Sequence, residues 1–460
     1  MLLMTKTNKI CLKNLSVHDK NQIKKGLSLR NPLYHKLLRM GNVKALYNTP
    51  EFFKYYKEEK NGDLIIGRGN ENRLYDYAKA TGQDILIERD ETVFPHLKIK
   101  VVSSIKLRPE QEDFIESLDP HKNTNGIIKC STGFGKTILA LKLFEYLQTP
   151  TLIVVPRNNI LKQFIYESEK YLGFRPRVIG SEEDNDGRLT LATIQSLQRK
   201  GVETLGISKS FGCVIFDEAH LTVPEKSRRV VESFYSKHRY GFTATPKRTD
   251  EQGDALKFIF GPILIERKIA TAKPSIKQIP FYGQIPILEY SKIIDHQIRN
   301  ESRNDLLIST IITEARKGKK VLVLTKRIEH YELIEKGIKA RSEGCGLLPI
   351  YSISSDASCA AETGLLMLRL RQSLQDFSVL LGTFSLLGTG VDIPRLDTLV
   401  LAGDLKSEVL AEQAGGRILR LFEGKPEPKI IDIQDYGNKI LLLQAKARLK
   451  FYKSSQWQIL

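Results

Sequence analysis

Gly126-Ile127-Ile128-Lys129-Cys130-Ser131-Thr132-Gly133-Phe134-Gly135-Lys136-Thr137 is the stretch on which the reading of this chain turns. A short apolar strand, Gly126–Cys130, runs into a glycine-rich turn, and the turn opens a helical segment, Ile138–Tyr146. In such a unit the glycines let the backbone curl so that its N–H groups face phosphate oxygens, and the helix N-terminus adds positive potential. Thr132, Gly133, Phe134 and Gly135 then form a phosphate cradle, Lys136 reaches the β- and γ-phosphates, and Thr137 supplies a magnesium ligand. The strict pattern has glycine at position 130, where this chain has cysteine, and a glycine-rich turn taken alone is also compatible with a purely structural role.

Downstream, the apolar run Val214-Ile215-Phe216 delivers Asp217 and Glu218 to the carboxyl end of a strand, where ligands sit in parallel α/β folds. An Asp there holds magnesium through water, and an adjacent Glu orients or deprotonates the attacking water. Two acids ending a strand are in isolation a common helix cap; beside Lys136 and Thr137 the catalytic reading is preferred. Further apolar runs at Thr151–Val155, Leu189–Thr193 and Tyr240–Thr243 extend a first strand-and-helix series. A second follows, with Lys320–Thr325, Leu348–Ser352, Ser378–Gly382, Thr398–Ala402 and Lys429–Ile433 as its strands. Two doubly covered parallel sheets are therefore predicted, an α/β class. Ala270–Gly283, with Pro274 and Pro280, reads as the hinge between them.

The first hundred residues differ. Lys6–Lys60 mixes basic residues with aromatics, and Asn61-Gly62-Asp63 reads as a turn between strands Phe52–Tyr56 and Leu64–Ile66. A small α+β module results, whose aromatics serve either as core or as a nucleic-acid contact. Ile440–Leu460 reads as a basic amphipathic helix closing with Trp457 and packing on the second α/β domain. The expected domains are 1–100, 101–270, 271–440 and a terminal helix, 441–460.

A formal charge of +18 and a pI near 9.4 draw in a polyanion, so nucleic acid is the expected partner. The five cysteines are scattered and never spaced Cys-x-x-Cys, which argues against both a disulfide framework and a zinc site. Met1–Ile10 is too briefly apolar for a secretory or membrane segment, and a cytoplasmic protein without membrane contact is expected.

From about residue 104 to 435 the chain resembles the superfamily 2 helicases and translocases, which have two RecA-like domains. Asp217-Glu218-Ala219-His220 is similar to their DEAH box, and Leu107-Arg108-Pro109-Glu110-Gln111 to their adenine-reading motif. The resemblance implies that Gln111, with Arg108 nearby, meets the base. It implies that Pro156, Arg157, Thr193 and Gln195 lie in loops touching the nucleic-acid backbone, as do Thr383 and Thr389 in the second half. It further implies that His220, Thr243 and Thr245 couple hydrolysis to movement. Gly388-Thr389-Gly390-Val391-Asp392 resembles a motif near the ATP ribose, which assigns Gly390 and Asp392 to the nucleotide. Gln413, Arg417 and Arg420 match the last motif, whose arginines reach the γ-phosphate from the second domain. A solvated basic helical face is the alternative there, although Gly415-Gly416 suits it poorly.

The layout is most similar to phage UvsW-type branch-migration helicases. That implies an ATP- and Mg2+-dependent DNA helicase or translocase remodelling forks and Holliday junctions in recombination, repair and replication. It also implies a phage protein in a bacterial host cytoplasm, monomeric, with a single-strand-binding protein as a candidate partner. Two other readings stay open: an RNA-directed helicase, and a non-motor clamp switched by ATP, against which Glu218 and Arg420 argue.

Overall fold

The computed structural model describes residues 1–131, 133–181, 187–244, 253–267, 273–286, 289–342, 349–353, 370, 376–384, 393, 395–403, 418 and 425–460. These fall into two units, Met1–Lys268 and Ile269–Leu460. Among the described residues no helix is long and apolar enough to cross a membrane.

The first unit opens with an α+β module. Its strands are β1 (Leu2–Lys6), β2 (Lys9–Lys13), β3 (Ser28–Arg30), β4 (Phe52–Lys54), β5 (Tyr56–Glu58), β6 (Leu64–Gly67) and β7 (Ile85–Asp90). Five of them form a mixed sheet in the order β5-β6-β2-β1-β7, while β3 and β4 pair only with each other. Period-two alternation turns Leu2, Met4, Ile10, Leu12, Leu64 and Ile66 inward. The segment Phe52–Tyr56, expected as one hairpin strand, is two strands. Phe52–Lys54 pairs with β3, and only from Tyr56 does the chain face β6 across the Asn61–Asp63 turn. The switch falls at Tyr55, which is buried and whose N–H is bonded to Leu27 O.

The same unit then builds a seven-stranded sheet from β8 (Asn125–Cys130), β9 (Thr151–Val155), β10 (Arg177–Val178), β11 (Leu189–Thr193), β12 (Cys213–Phe216), β13 (His238–Thr243) and β14 (Ile263–Arg267). Its order is β10-β11-β9-β12-β13-β8-β14, with every pairing parallel. Module and sheet share one apolar core, which runs from Met4 and Leu64 through Val214 to Phe260. Polar contacts reinforce the join. Arg68, fully buried, donates to the carbonyls of Ser236 and Lys237, and Asn70 donates to Phe258 O.

In the second unit β15 (Ser275–Phe281), β16 (Val321–Thr325), β17 (Ile350–Ile353), β18 (Val379–Thr383), β19 (Thr398–Leu401), β20 (Lys429–Asp435) and β21 (Gln458–Ile459) form another all-parallel sheet, ordered β17-β18-β16-β19-β20-β15-β21. The fold is two RecA-like α/β domains behind an α+β module. The expected hinge, Ala270–Gly283, is corrected in part: Ser275–Phe281 is a strand paired with β20 along its length. β21 reaches only Ser275 and Ile276, so Pro280 sits where one side of the strand is open, a place sheets tolerate proline. The C-terminal helix, Lys439–Ser454, is followed by β21 rather than ending the chain, and Trp457 stacks on Tyr452 with ring centroids 5.7 Å apart.

Candidate nucleotide site

The glycine-rich turn leaves β8 at Cys130 and is closed by Phe134 N–H donating to Ser131 O at 3.1 Å. Gly133 and Gly135 hold φ of 89° and 93°, left-handed values that favour glycine. Helix Lys136–Leu147 follows at once, and among the described residues no side chain caps its N-terminus, which leaves its first N–H groups available to an anion. Its Leu139, Leu141, Leu143 and Phe144 are buried, which fixes the axis against the sheet. Cys130 is buried too, its thiol pushed up to about 11 by desolvation; it is an inert core residue.

Next but one in the sheet, β12 ends at Phe216 and presents both acids. Lys136 Nζ lies 2.6 Å from Glu218 Oε1 and 4.0 Å from Asp217 Oδ1. Glu218 adopts φ 49°, a strained left-handed conformation for a non-glycine residue of the kind that clusters at functional sites. Burial pushes the Asp217 carboxyl up to about 6, with Lys136 opposing and Glu218 adding to the rise. Asp217 Oδ1 is buried without a hydrogen-bond partner among the described residues. His220 Nδ1 stands 3.3 Å from Glu218 Oε2 and 3.3 Å from Thr243 Oγ1, the latter at the buried end of β13. A continuous line of contacts thus runs Lys136–Glu218–His220–Thr243.

Arg108 and Gln111 grip the turn from outside. Arg108 Nη2 donates to Phe134 O at 2.6 Å and Gly133 O at 3.2 Å, and Gln111 Nε2 donates to Phe134 O. The Gln111 carbonyl accepts from Arg108 N–H at 3.0 Å, so both ends of this amide are engaged within the protein. Thr137 Oγ1 accepts from Gln163 Nε2 at 3.4 Å. Gln163 lies on helix Asn158–Leu172, in no motif, and nothing in the sequence singles it out. A magnesium nucleotide suits this donor set: an orphaned buried carboxylate oxygen, a hydroxyl one residue into the helix, an uncapped helix N-terminus and a lysine at its first position.

Comparison with known proteins agrees. Residues 104–248 match the family described as the res subunit of type III restriction enzymes. Protein 161L of Invertebrate iridescent virus 6, which carries the name of a helicase, is 29% identical over 384 residues, spanning 78% of this chain and 83% of its own. D10 of Escherichia phage T5, also named as a helicase, is 27% identical over 72% of each chain. The DNA 3'-5' translocase XPB2 of Sulfurisphaera tokodaii is 33% identical over 40% of this chain and 41% of its own. These matches make the chain an ATP-hydrolysing nucleic-acid helicase, similar to the superfamily 2 helicases.

The remaining residues expected to serve this helicase divide into three groups. Arg157 and Gln195 are exposed at the carboxyl ends of β9 and β11, on the same sheet edge as the nucleotide loop. Pro156, Thr193 and Thr383 are placed otherwise. Pro156 is buried, Thr193 Oγ1 caps helix Ile194–Lys200 by accepting from Ser196 N–H at 3.2 Å, and Thr383 is buried at the end of β18. Thr132, Thr245, Thr389, Gly390, Asp392, Gln413, Arg417 and Arg420 lie outside the described residues.

Proposed function

We propose that this helicase is an ATP- and magnesium-driven DNA translocase that remodels branched DNA, forks and four-way junctions, in recombination, repair and replication. The observation that carries the motor chemistry is the Lys136–Glu218–His220–Thr243 line on one sheet edge. Phosphate oxygens at the helix N-terminus compete with Glu218 for the Lys136 ammonium. Once that ammonium turns to them, Glu218 Oε1 is released to orient and deprotonate the attacking water. Thr137 and Asp217 hold Mg2+, which when bound neutralises charge developing on the transferred phosphoryl group. His220, bridging Glu218 to Thr243, reports the state of the acid to the segment leading to Thr245. Thr132 and Gly133–Gly135 cradle the phosphates. Arg108 and Gln111 meet the adenine, Gly390 and Asp392 the ribose. Gln413, Arg417 and Arg420 complete the site from the second domain, the arginines stabilising phosphoryl charge.

DNA is preferred over RNA because the relative at 33% identity is named a DNA translocase, and the +18 charge supplies the polyanion attraction. Arg157, Gln195 and the loops holding Pro156, Thr193, Thr383 and Thr389 form its track. The chain works as a monomer on branched DNA, alongside a single-strand-binding protein, in a phage-infected host cytoplasm; the likeness to a phage T5 protein supports that setting.

The test is the magnesium-dependent ATPase rate across single-stranded DNA, duplex, forks, four-way junctions and RNA, with Lys136→Ala as control. Strongest stimulation by forks or junctions, abolished in K136A, is expected. Stimulation chiefly by RNA would replace the substrate reading, and full activity in K136A would remove the site assignment.

A further inference from the structure

β3 and β4 form a two-stranded ribbon of their own, with Arg30 opposite Phe52. The ribbon carries a lobe of two short helices, Pro32–Arg39 and Val43–Tyr47, and neither helix has a single buried residue. The base of the lobe is pinned. Asn31 is buried, accepts from Leu33 N–H and donates to Pro50 O at 2.8 Å, while its own N–H meets Glu51 O at 2.8 Å. The tip is uncovered: Leu33, Leu38, Met40 and Val43 are exposed, and Tyr47 is 92% exposed.

Charge is equally one-sided. From Lys20 to Pro50 there is no Asp or Glu. Lys20 and Lys24, near the body of the module, are both paired with Glu58. Arg30 at the end of the ribbon and Lys36, Arg39 and Lys44 on the lobe itself make no ion pair among the described residues. A surface that is apolar, cationic and free of acids complements a polyanion that also offers flat apolar faces. Duplex DNA hides those faces in its stack; unpaired bases at a branch expose them.

We propose that the 31–51 lobe holds the unpaired bases of a DNA branch point, with Leu38, Met40 and Tyr47 against base faces and Arg30, Lys36, Arg39 and Lys44 on the flanking phosphates. This rests on the reading of the chain as a DNA motor and adds where the branch is kept open. Asn31 ties both ends of the lobe to the ribbon, so the base from which the tip projects is fixed on the module.

The experiment uses the full chain and a synthetic fork carrying 2-aminopurine at its junction. Wild type is expected to change the 2-aminopurine fluorescence. The variant L38S/M40S/Y47A is expected to lose that change and about tenfold in fork affinity, while its ATPase stimulated by single-stranded DNA stays within about twofold of wild type. A second variant, with residues 32–49 replaced by a short Gly-Ser turn, guards against local misfolding and must behave alike. An unchanged fluorescence signal in both variants overturns the lobe assignment even where DNA stimulates hydrolysis. A lobe-dependent signal in a chain whose ATPase ignores every DNA sustains the lobe and removes the motor-on-DNA reading instead. Altered self-association of the variants by light scattering, with fork binding intact, also overturns the proposal and makes the lobe a protein interface.

Discussion

Gly135 shows how tightly the nucleotide loop is specified at single residues. Its φ of 93° strains any L side chain, and a Cβ built there meets Gln111 Nε2 at 2.5 Å. Gly135→Ala therefore has two effects: it stiffens the turn against its native conformation, and it pushes aside the amide expected to read adenine. We expect the KM for ATP to rise about tenfold, equivalent to about 1.4 kcal/mol, with Gln111→Ala reproducing the part that belongs to the amide. Steady-state ATPase kinetics on the two variants check this, and a G135A enzyme with unchanged KM would show that the turn yields freely. Lys136, Asp217 and Glu218 were legible in the sequence because each follows a recognisable strand at a fixed offset. Gln163 was not, because its contact with Thr137 is made across two helices.

At the scale of elements, the join between the N-terminal module and the first RecA-like domain is governed by helix Gly253–Phe260. Arg73 lies over the Phe258 ring at 4.6 Å, Asn70 donates to Phe258 O, and the Gly69 backbone presses against the helix end. A Cβ on Gly69 lies 2.6 Å from Ile259 C and Phe260 N, backbone atoms that have nowhere to go. Gly69→Ala is expected to destabilise the first unit by about 1–3 kcal/mol, the usual cost of overpacking. Gly26→Ala, where a new Cβ meets nothing within 4 Å, serves as control. Thermal denaturation of both variants decides it; equal transitions would mean that the junction is plastic. The N-terminal module and the first RecA-like domain thus share one apolar core. Composition marked where the chain's character changes but not that Met4 and Phe260 share one apolar cluster.

For the molecule as a whole, each unit buries a histidine that stays neutral. Burial presses His238 in the first unit and His330 in the second down to about 3; neighbouring Lys237 and Arg303 add to the respective effects. An unfolded histidine titrates near 6.5. Below that value the unfolded chain binds a proton that the folded one refuses, so stability is fully present above pH 6.5 and falls as pH drops toward 3. The slope is about 1.4 kcal/mol per pH unit for each histidine, or about 2 kcal/mol between pH 6.5 and 5. Urea denaturation at pH 7.5, 6 and 5 is expected to show falling midpoints for both units, with His330→Gln flattening the change in one of them. Midpoints independent of pH over that range would mean that both imidazoles protonate in place.

The sequence by itself determined five strands of each α/β domain and the order of the nucleotide motifs, because buried parallel strands must be short apolar runs and phosphate loops need glycine at set positions; β10, β14, β15 and β21, at or beside the sheet edges, were not legible in it. Tertiary structure decided what depends on contacts between segments far apart in the chain. It turned part of the expected hinge into β15, since β20 offered Ser275–Phe281 a full-length partner. It split Phe52–Tyr56 between two sheets at a buried tyrosine. It also engaged Gln111 with the loop carbonyl of Phe134 and aligned Lys136, Glu218, His220 and Thr243 from three neighbouring strands, a line that no local pattern encodes because sheet order, not sequence order, sets it.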